Sequence, residues 1–246
     1  MARTDDGPIS AGERTVISAR LFATGASAIT ALAAALALGI GVFTPPRGGV
    51  LCTSGCIPYP YTDAAPFVVG DSIWIYPAIV MALGFIAVTA SLHELGPSGG
   101  RLAGLVAVAF STLAAGLLVG DYLVHLMVVV PSLARGEGAA VATFSIYNPH
   151  GVFIALENAG YFVIGLAFLA VAGAVVGSGR LAGAVRWVFL VAGVLAVGGL
   201  IFFGALFGAD LDVRYEVFAI SIDYLALAIG GALLAAWFRR RRTDPA

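Results

Sequence analysis

The segment G-D-Y-L-V-H-L at residues 120–126 places Asp121 and His125 four apart inside an otherwise apolar run. On a helix that spacing puts a carboxyl and an imidazole on one face. The tripeptide Asp-Tyr-Leu returns at 223–225, again in an apolar run, and brings Asp223 and Tyr224. Between the two lies a third polar patch, Glu157 and Asn158 with Tyr161 one turn further on. Ionisable side chains within membrane segments cost a few kcal/mol even on lenient insertion scales, and they usually face the bundle interior and mark function.

Several chemistries suit such groups. Carboxyls held close together favour binding of a proton. Three carboxylates and an imidazole could also hold a divalent metal. No H-x-x-x-H or H-E-x-x-H spacing is present, however, and His93 falls at the far end of its own span, which excludes a tri-histidine zinc site. A bis-histidine haem on His125 and His150 and a self-neutralising pair of Asp121 with protonated His125 stay open. No metal or cofactor is expected from the residues alone.

The elements that must position these groups follow from composition. Hydrophobic residues make up 60% of the 246-residue chain, charged residues only 11%, and lysine is absent. Soluble domains are about a quarter charged, so a water-soluble globule is excluded. The net charge of −1 gives no general attraction to nucleic acid. Six apolar stretches, at 21–43, 73–92, 102–130, 152–177, 187–207 and 217–238, are each near the roughly 20 residues that span a bilayer as a helix. None alternates with the period of two that a membrane barrel requires. The expected fold is all-α, a single six-helix transmembrane bundle over residues 1–246.

Arginine placement predicts the orientation. With the N-terminus inside, Arg3, Arg14, Arg20, Arg101, Arg180, Arg186 and Arg239 to Arg242 are cytoplasmic, and only Arg47, Arg135 and Arg214 lie outside. Both termini are therefore expected in the cytoplasm and the chain in a plasma membrane. The four terminal arginines suit contact with anionic headgroups. Trp187 and Trp237 near the inner ends, and Trp74, Tyr76, Tyr59 and Tyr61 near the outer ends, fit interfacial belts. Residues 1–20 are polar, and the apolar run after them is too long for a signal-peptide core, so the first span is expected to act as an uncleaved anchor. Ser10 and Glu13 make a capping box for it.

Helical rise at about 1.5 Å per residue then puts the polar groups at one depth. Asp121 and His125 fall in the outer half of the third span. Glu157, Asn158 and Tyr161 lie roughly 10 to 14 Å below the outer start of the fourth, and Asp223 and Tyr224 about 12 Å below that of the sixth. A shared depth argues against an inverted repeat, whose equivalent residues would sit at opposite depths.

The Pro- and Gly-rich outer loop at 44–70 is expected to be irregular and partly packed over the bundle. It holds the two cysteines, Cys52 and Cys56, which an oxidising side would join as a disulfide. In N-P-H-G, Asn148 is placed to cap the fourth span with Pro149 as its first helical residue. The third outer connection is acidic, with Asp210, Asp212 and Glu216 around Arg214. The G-x-x-x-G pairs at 173–177 and 204–208 fit close packing within the bundle or dimerisation equally.

The stretches YNPHGVFIALENAGY and YEVFAISIDYLALAIGGALLAAWFRR resemble segments of small six-helix prokaryotic membrane proteins of unknown function. That resemblance implies a six-helix fold and no activity. The lysine-free composition, rich in Ala, Gly and Arg, fits a high-GC bacterium. The expected partners are the lipid bilayer and a small-molecule or cation ligand, with no nucleic acid. The leading functional expectation is an outward-facing polar site that binds or transports a small ligand, cation or proton. The others are a membrane-embedded enzyme using Asp121, His125, Glu157 and Asp223 with a metal or as acid and base, and a structural subunit.

Overall fold

The computed structural model describes residues 11–240. Nine α-helical elements follow one another in them, and the described residues contain no strand. α1 is Ala11–Phe43, the short α2 is Val68–Asp71, α3 is Ile75–Leu95 and α4 is Arg101–Val124. A π-helical turn, His125–Val129, continues α4 into α5, Val130–Ala134. α6 is Gly138–Val141, α7 Val152–Ala174, α8 Arg180–Phe207 and α9 Arg214–Arg240. Six helical stretches are long and apolar enough to cross a membrane: Thr15–Phe43, Val68–Leu95, Ser98–Ala134, Val152–Ala174, Arg180–Asp210 and Arg214–Arg240. Six helices of that length and composition fit a multi-pass membrane protein. A helix satisfies every backbone hydrogen bond within its own segment, which a bilayer core demands.

The long helices form a closed ring. α1 packs on α3, α3 on α4, α4 on α7, α7 on α8, α8 on α9, and α9 returns to α1. α7 also meets α9 across the ring, so their facing residues line its centre. One end of the bundle carries the disulfide loop and is called the loop end here; the end where α1 starts and α9 finishes is the termini end.

Helix boundaries differ from the sequence expectation where polar or special residues sit at the ends. The third span does not stop at residue 130. Pro131 has no N–H to give, and the turn just before it widens, with Val130 N–H donating to the His125 carbonyl. Such π turns inside helices recur at functional sites. The sixth span starts at Arg214, which moves Glu216 from the acidic loop into the first turn of α9. The fourth ends at Ala174 because Val175 is already extended. Asn148 does not cap α7. Its Oδ1 accepts from the His150 N–H at 3.1 Å and its Nδ2 donates to the Ala142 carbonyl at 3.2 Å, so N-P-H-G is a turn and Gly151 precedes the helix. Ser10 of the expected capping box lies outside the described residues, as do Arg241 and Arg242 of the terminal arginines.

Two other expectations are corrected. Trp74, Tyr61 and Trp237 belong to the core and not to an interfacial belt, whereas Trp187, Tyr59 and Tyr76 are exposed. The G-x-x-x-G pairs divide: a Cβ on Gly173 of α7 would lie 3.3 Å from the Ala103 Cβ of α4, a close helix contact, whereas Gly204 and Gly208 face open space. Closer approach occurs elsewhere. A Cβ on Gly160 of α7 would overlap the Leu118 side chain of α4, so this glycine brings α4 and α7 together.

The loop end is capped by a second, smaller hydrophobic cluster. Ile57, Tyr61, Ala64 and Val68 pack on Val129, Leu133, Val141 and Tyr147. The loop between α1 and α2 is thereby seated on α5, α6 and the segment before α7. Cys52 and Cys56 form a disulfide within it, with Cα atoms 5.8 Å apart. A membrane-impermeant thiol reagent should leave the native protein unlabelled and label both cysteines after reduction. Ready labelling without reductant would contradict the disulfide. The bridge closes so few residues that its loss should disturb the loop more than the bundle.

Candidate functional site

Glu157 of α7 is fully enclosed, and its carboxyl is the centre of a hydroxyl cluster. Tyr161, one turn on, donates to Glu157 Oε1 at 2.7 Å. Tyr122 of α4 donates to the same oxygen at 2.8 Å and has its own oxygen 2.8 Å from that of Tyr161. Tyr224 of α9 completes the group, its hydroxyl 3.3 Å from those of Tyr122 and Tyr161. Each phenol has one proton. With the protons of Tyr122 and Tyr161 committed to Glu157, the Tyr224 proton is the one directed at a neighbouring phenol oxygen. Three helices are joined at one carboxyl group.

The placement follows from local sequence. The i, i+4 spacing stacks Tyr161 on Glu157. Gly160, beside Tyr161, admits Leu118, which lies one turn before Tyr122, so the α4 phenol reaches across. Trp74 packs edge-on to the Tyr122 ring with centroids 5.5 Å apart, and Phe153 tilts against it at 6.0 Å. Both phenols of the repeated Asp-Tyr-Leu segment therefore arrive at the same place.

A second carboxyl joins the first. Glu216, in the opening turn of α9, interacts directly with Glu157 and is also acted on by Asp212 and Asp121. Glu157 in turn acts on Asp121. The Oε2 atoms of Glu157 and Glu216 are buried without a hydrogen-bond partner among the described residues, as is Oδ2 of Asp121. Glu216 lines a cavity of about 240 Å³ at the loop end, together with Leu38, Trp74, Phe153 and Ile220. Its rim is held by Asp71, whose Oδ2 accepts from Arg47 Nε at 2.6 Å and from the Tyr147 hydroxyl at 2.9 Å. The Arg47 guanidinium also lies over the Phe67 ring, 3.8 Å from its centroid. Burial, and then the neighbouring Asp71, push the Tyr147 phenol above its ordinary pKa, so it stays a donor to that carboxylate.

Towards the termini end the site is closed. Phe85 and Phe168 pack with centroids 5.5 Å apart, and Phe168 and Phe189 at 5.1 Å. Phe168 lies seven residues beyond Tyr161 on α7, about 10 Å deeper.

Not every residue expected at the site comes to it. His125 is fully enclosed but turns to the junction of α2 and α3, where its Nε2 lies 3.0 Å from Ser72 Oγ. The Ser72 hydroxyl also donates to the Val68 carbonyl at 2.6 Å, and the Phe144 backbone faces the imidazole as well. Nδ1 has no hydrogen-bond partner among the described residues. Asp121 and His125 share a helix face without pairing: the imidazole faces Ser72 instead. Asp223 is fully enclosed, and both its oxygens lack a partner among the described residues. It acts on Tyr215 and Tyr224, its neighbours on α9, and stands apart from the other acids. Asn158 presents an unpartnered Oδ1. His150 is exposed at the loop end while His125 is enclosed, so the two do not form a haem ligand pair. Among the described residues no three His, Cys, Asp or Glu side chains converge as metal ligands.

The residues that sequence reasoning missed are Tyr122, Glu216 and Asp71. Tyr122 stood inside the first segment noted and had a signal in its repeat as Tyr224. Glu216 lies seven residues before Asp223, two helical turns on, a spacing that would have placed it on α9. No family model, curated protein or solved structure matches this chain.

Replacing Tyr122 by Phe removes one of two donors to a buried carboxyl. The Tyr122→Phe protein should lose about 1 to 3 kcal/mol of stability, read as a lower thermal midpoint in lipid or detergent. Tyr76→Phe, at an exposed ring, should leave the midpoint unchanged. Equal midpoints for the two variants would contradict the role given to the hydroxyl cluster.

Proposed function

We propose that this protein binds a small cation or a proton in a membrane-embedded site reached from the extracytoplasmic side. One observation carries the proposal. Asp121, Glu157 and Glu216, the three acids that act on one another, each bury one oxygen without a partner among the described residues. All can accept, so what the site needs is a donor or a positive charge. Arg47, which shares the cavity with Glu216, is already engaged by Asp71 and Phe67. The charged groups of the lining are Arg47, Asp71 and Glu216, so with Arg47 matched by Asp71 the charge left over is that of an acid.

The sidedness comes from two features. The cavity opens at the loop end, and the aromatic layer of Phe85, Phe168 and Phe189 closes the opposite side. The excess of arginine at the termini end and in the connections on its side supports a cytoplasmic position for that end. Glu216 then serves as the entry group, Glu157 as the deeper one, and the three phenols hold Glu157 in place. The same acids working as acid and base in a membrane enzyme is the weaker reading, because in the Ser72–His125 contact the serine proton is directed to the Val68 carbonyl.

Trp74 lines the cavity and touches Tyr122, so it reports on the site. In a Trp187→Phe, Trp237→Phe background reconstituted in nanodiscs, its emission should change with pH and with added sodium, potassium or ammonium. The response to both should be lost in the Glu157→Gln, Glu216→Gln protein. Emission indifferent to pH and to every cation, or a response that survives removal of both acids, would overturn the proposal.

A further inference from the structure

We infer that the cavity at the loop end takes an organic ammonium ion, and that the ion enters in exchange for a proton shared by Glu157 and Glu216. The inference rests on the cation reading and adds the class of cation and the coupling.

Size and lining choose the class. A cavity of about 240 Å³ holds roughly eight water-sized volumes. A bare sodium or potassium ion needs several oxygens converging at short range, and the acids here do not converge on one point. The walls are instead apolar and aromatic. Leu38 and Val42 of α1 face Val217 and Ile220 of α9, with Trp74 and Phe153 on the remaining side. Apolar walls with one or two directed polar groups are the usual make-up of a small-molecule site. Indole and phenyl faces also attract a cation. The chemistry that matches is an ammonium head on an apolar body of a few carbons or one ring.

The charges choose the position of the head. At the rim, Asp71 is matched by Arg47 and Tyr147. At the floor, Glu216 presents Oε2 with no partner among the described residues, and the fully enclosed Glu157 behind it does the same. The ammonium therefore sits against Glu216, its N–H groups donating to the free oxygens of the two acids.

The exchange follows from their contact. Two carboxyls this close in a dry site repel when both are ionised, so without a cation they hold one proton between them. The other groups facing the pair do not replace it. Asp212 and Asp121 are further acids, and Tyr122, Tyr161 and Tyr224 already donate within their own cluster. When the ammonium arrives, its charge and donors substitute for that proton, which leaves to water through the cavity. One positive charge enters and one leaves, so the net charge of the site is unchanged.

The test uses the full-length protein in lipid nanodiscs, with phenethylammonium as probe and phenethyl alcohol as its uncharged counterpart. Calorimetric titration in two buffers of different ionisation enthalpy reads both affinity and proton release. The ammonium should bind with release of about one proton per protein at neutral pH, and the alcohol should bind at least about thirtyfold more weakly, the scale of losing one buried charge partner. Glu216→Gln should lose a similar factor for the ammonium and release no proton. Leu38→Trp, which fills the cavity from α1 rather than from the helix that carries Glu216, should also abolish binding, so the outcome does not depend on how one variant folds. Binding of sodium or potassium but not of the ammonium would overturn the assigned class while leaving the cation reading intact. Ammonium binding without proton release would overturn the exchange. Failure to bind any cation or proton would remove the inference together with the function it rests on.

Discussion

A carboxyl group enclosed in a helix bundle must be given hydrogen-bond donors or a proton, and the centre of this protein is built around one such group. Glu157 has two phenol donors on a single oxygen, from its own helix and from α4, with the Tyr224 phenol of α9 behind them. Those contacts tie three of the six long helices at one depth. They also leave the second oxygen of Glu157 facing Glu216 and, through it, the cavity.

Packing elsewhere serves that geometry. Gly160 lets α4 approach α7 closely enough for Tyr122 to reach Glu157. Trp74 and Phe153 brace the Tyr122 ring and also form the cavity wall, so a change in the cavity is felt at the hydroxyl cluster. The phenylalanine layer beneath shuts the site off from the termini end. At the loop end, Arg47, Asp71 and Tyr147 bind the loop between α1 and α2 to the segment before α7, holding the rim in place.

The six membrane-length helices were legible because hydrophobic runs of that length have few alternatives. The ends were less so. Glu216 was read as loop because a polar residue next to an apolar run looks like its boundary, yet α9 begins two residues earlier. The shared depth of Asp121, Glu157, Tyr161 and Tyr224 was readable from helical rise. Which way each side chain turns was not, since each residue rotates about 100° from the last. That rotation brings Tyr224 into the cluster and leaves Asp223, its neighbour, apart. Tyr122 was passed over although it stands in the same Asp-Tyr-Leu tripeptide as Tyr224. His125 was expected beside Asp121, but its partner came from Ser72, more than fifty residues away in the chain. No local pattern announces such a contact.

The convergence of Tyr122 and Tyr161 on Glu157 can be measured directly. Solid-state NMR of the bilayer-embedded protein, with labels at the glutamate carboxyl carbons and the tyrosine ring carbons that bear the hydroxyls, reads dipolar contacts between these groups. Cross-peaks from Glu157 to both Tyr122 and Tyr161, each lost in the matching Tyr→Phe protein, are the result the structure predicts. A Glu157 carboxyl with no tyrosine contact, or one in contact with bulk water on all sides, would contradict it.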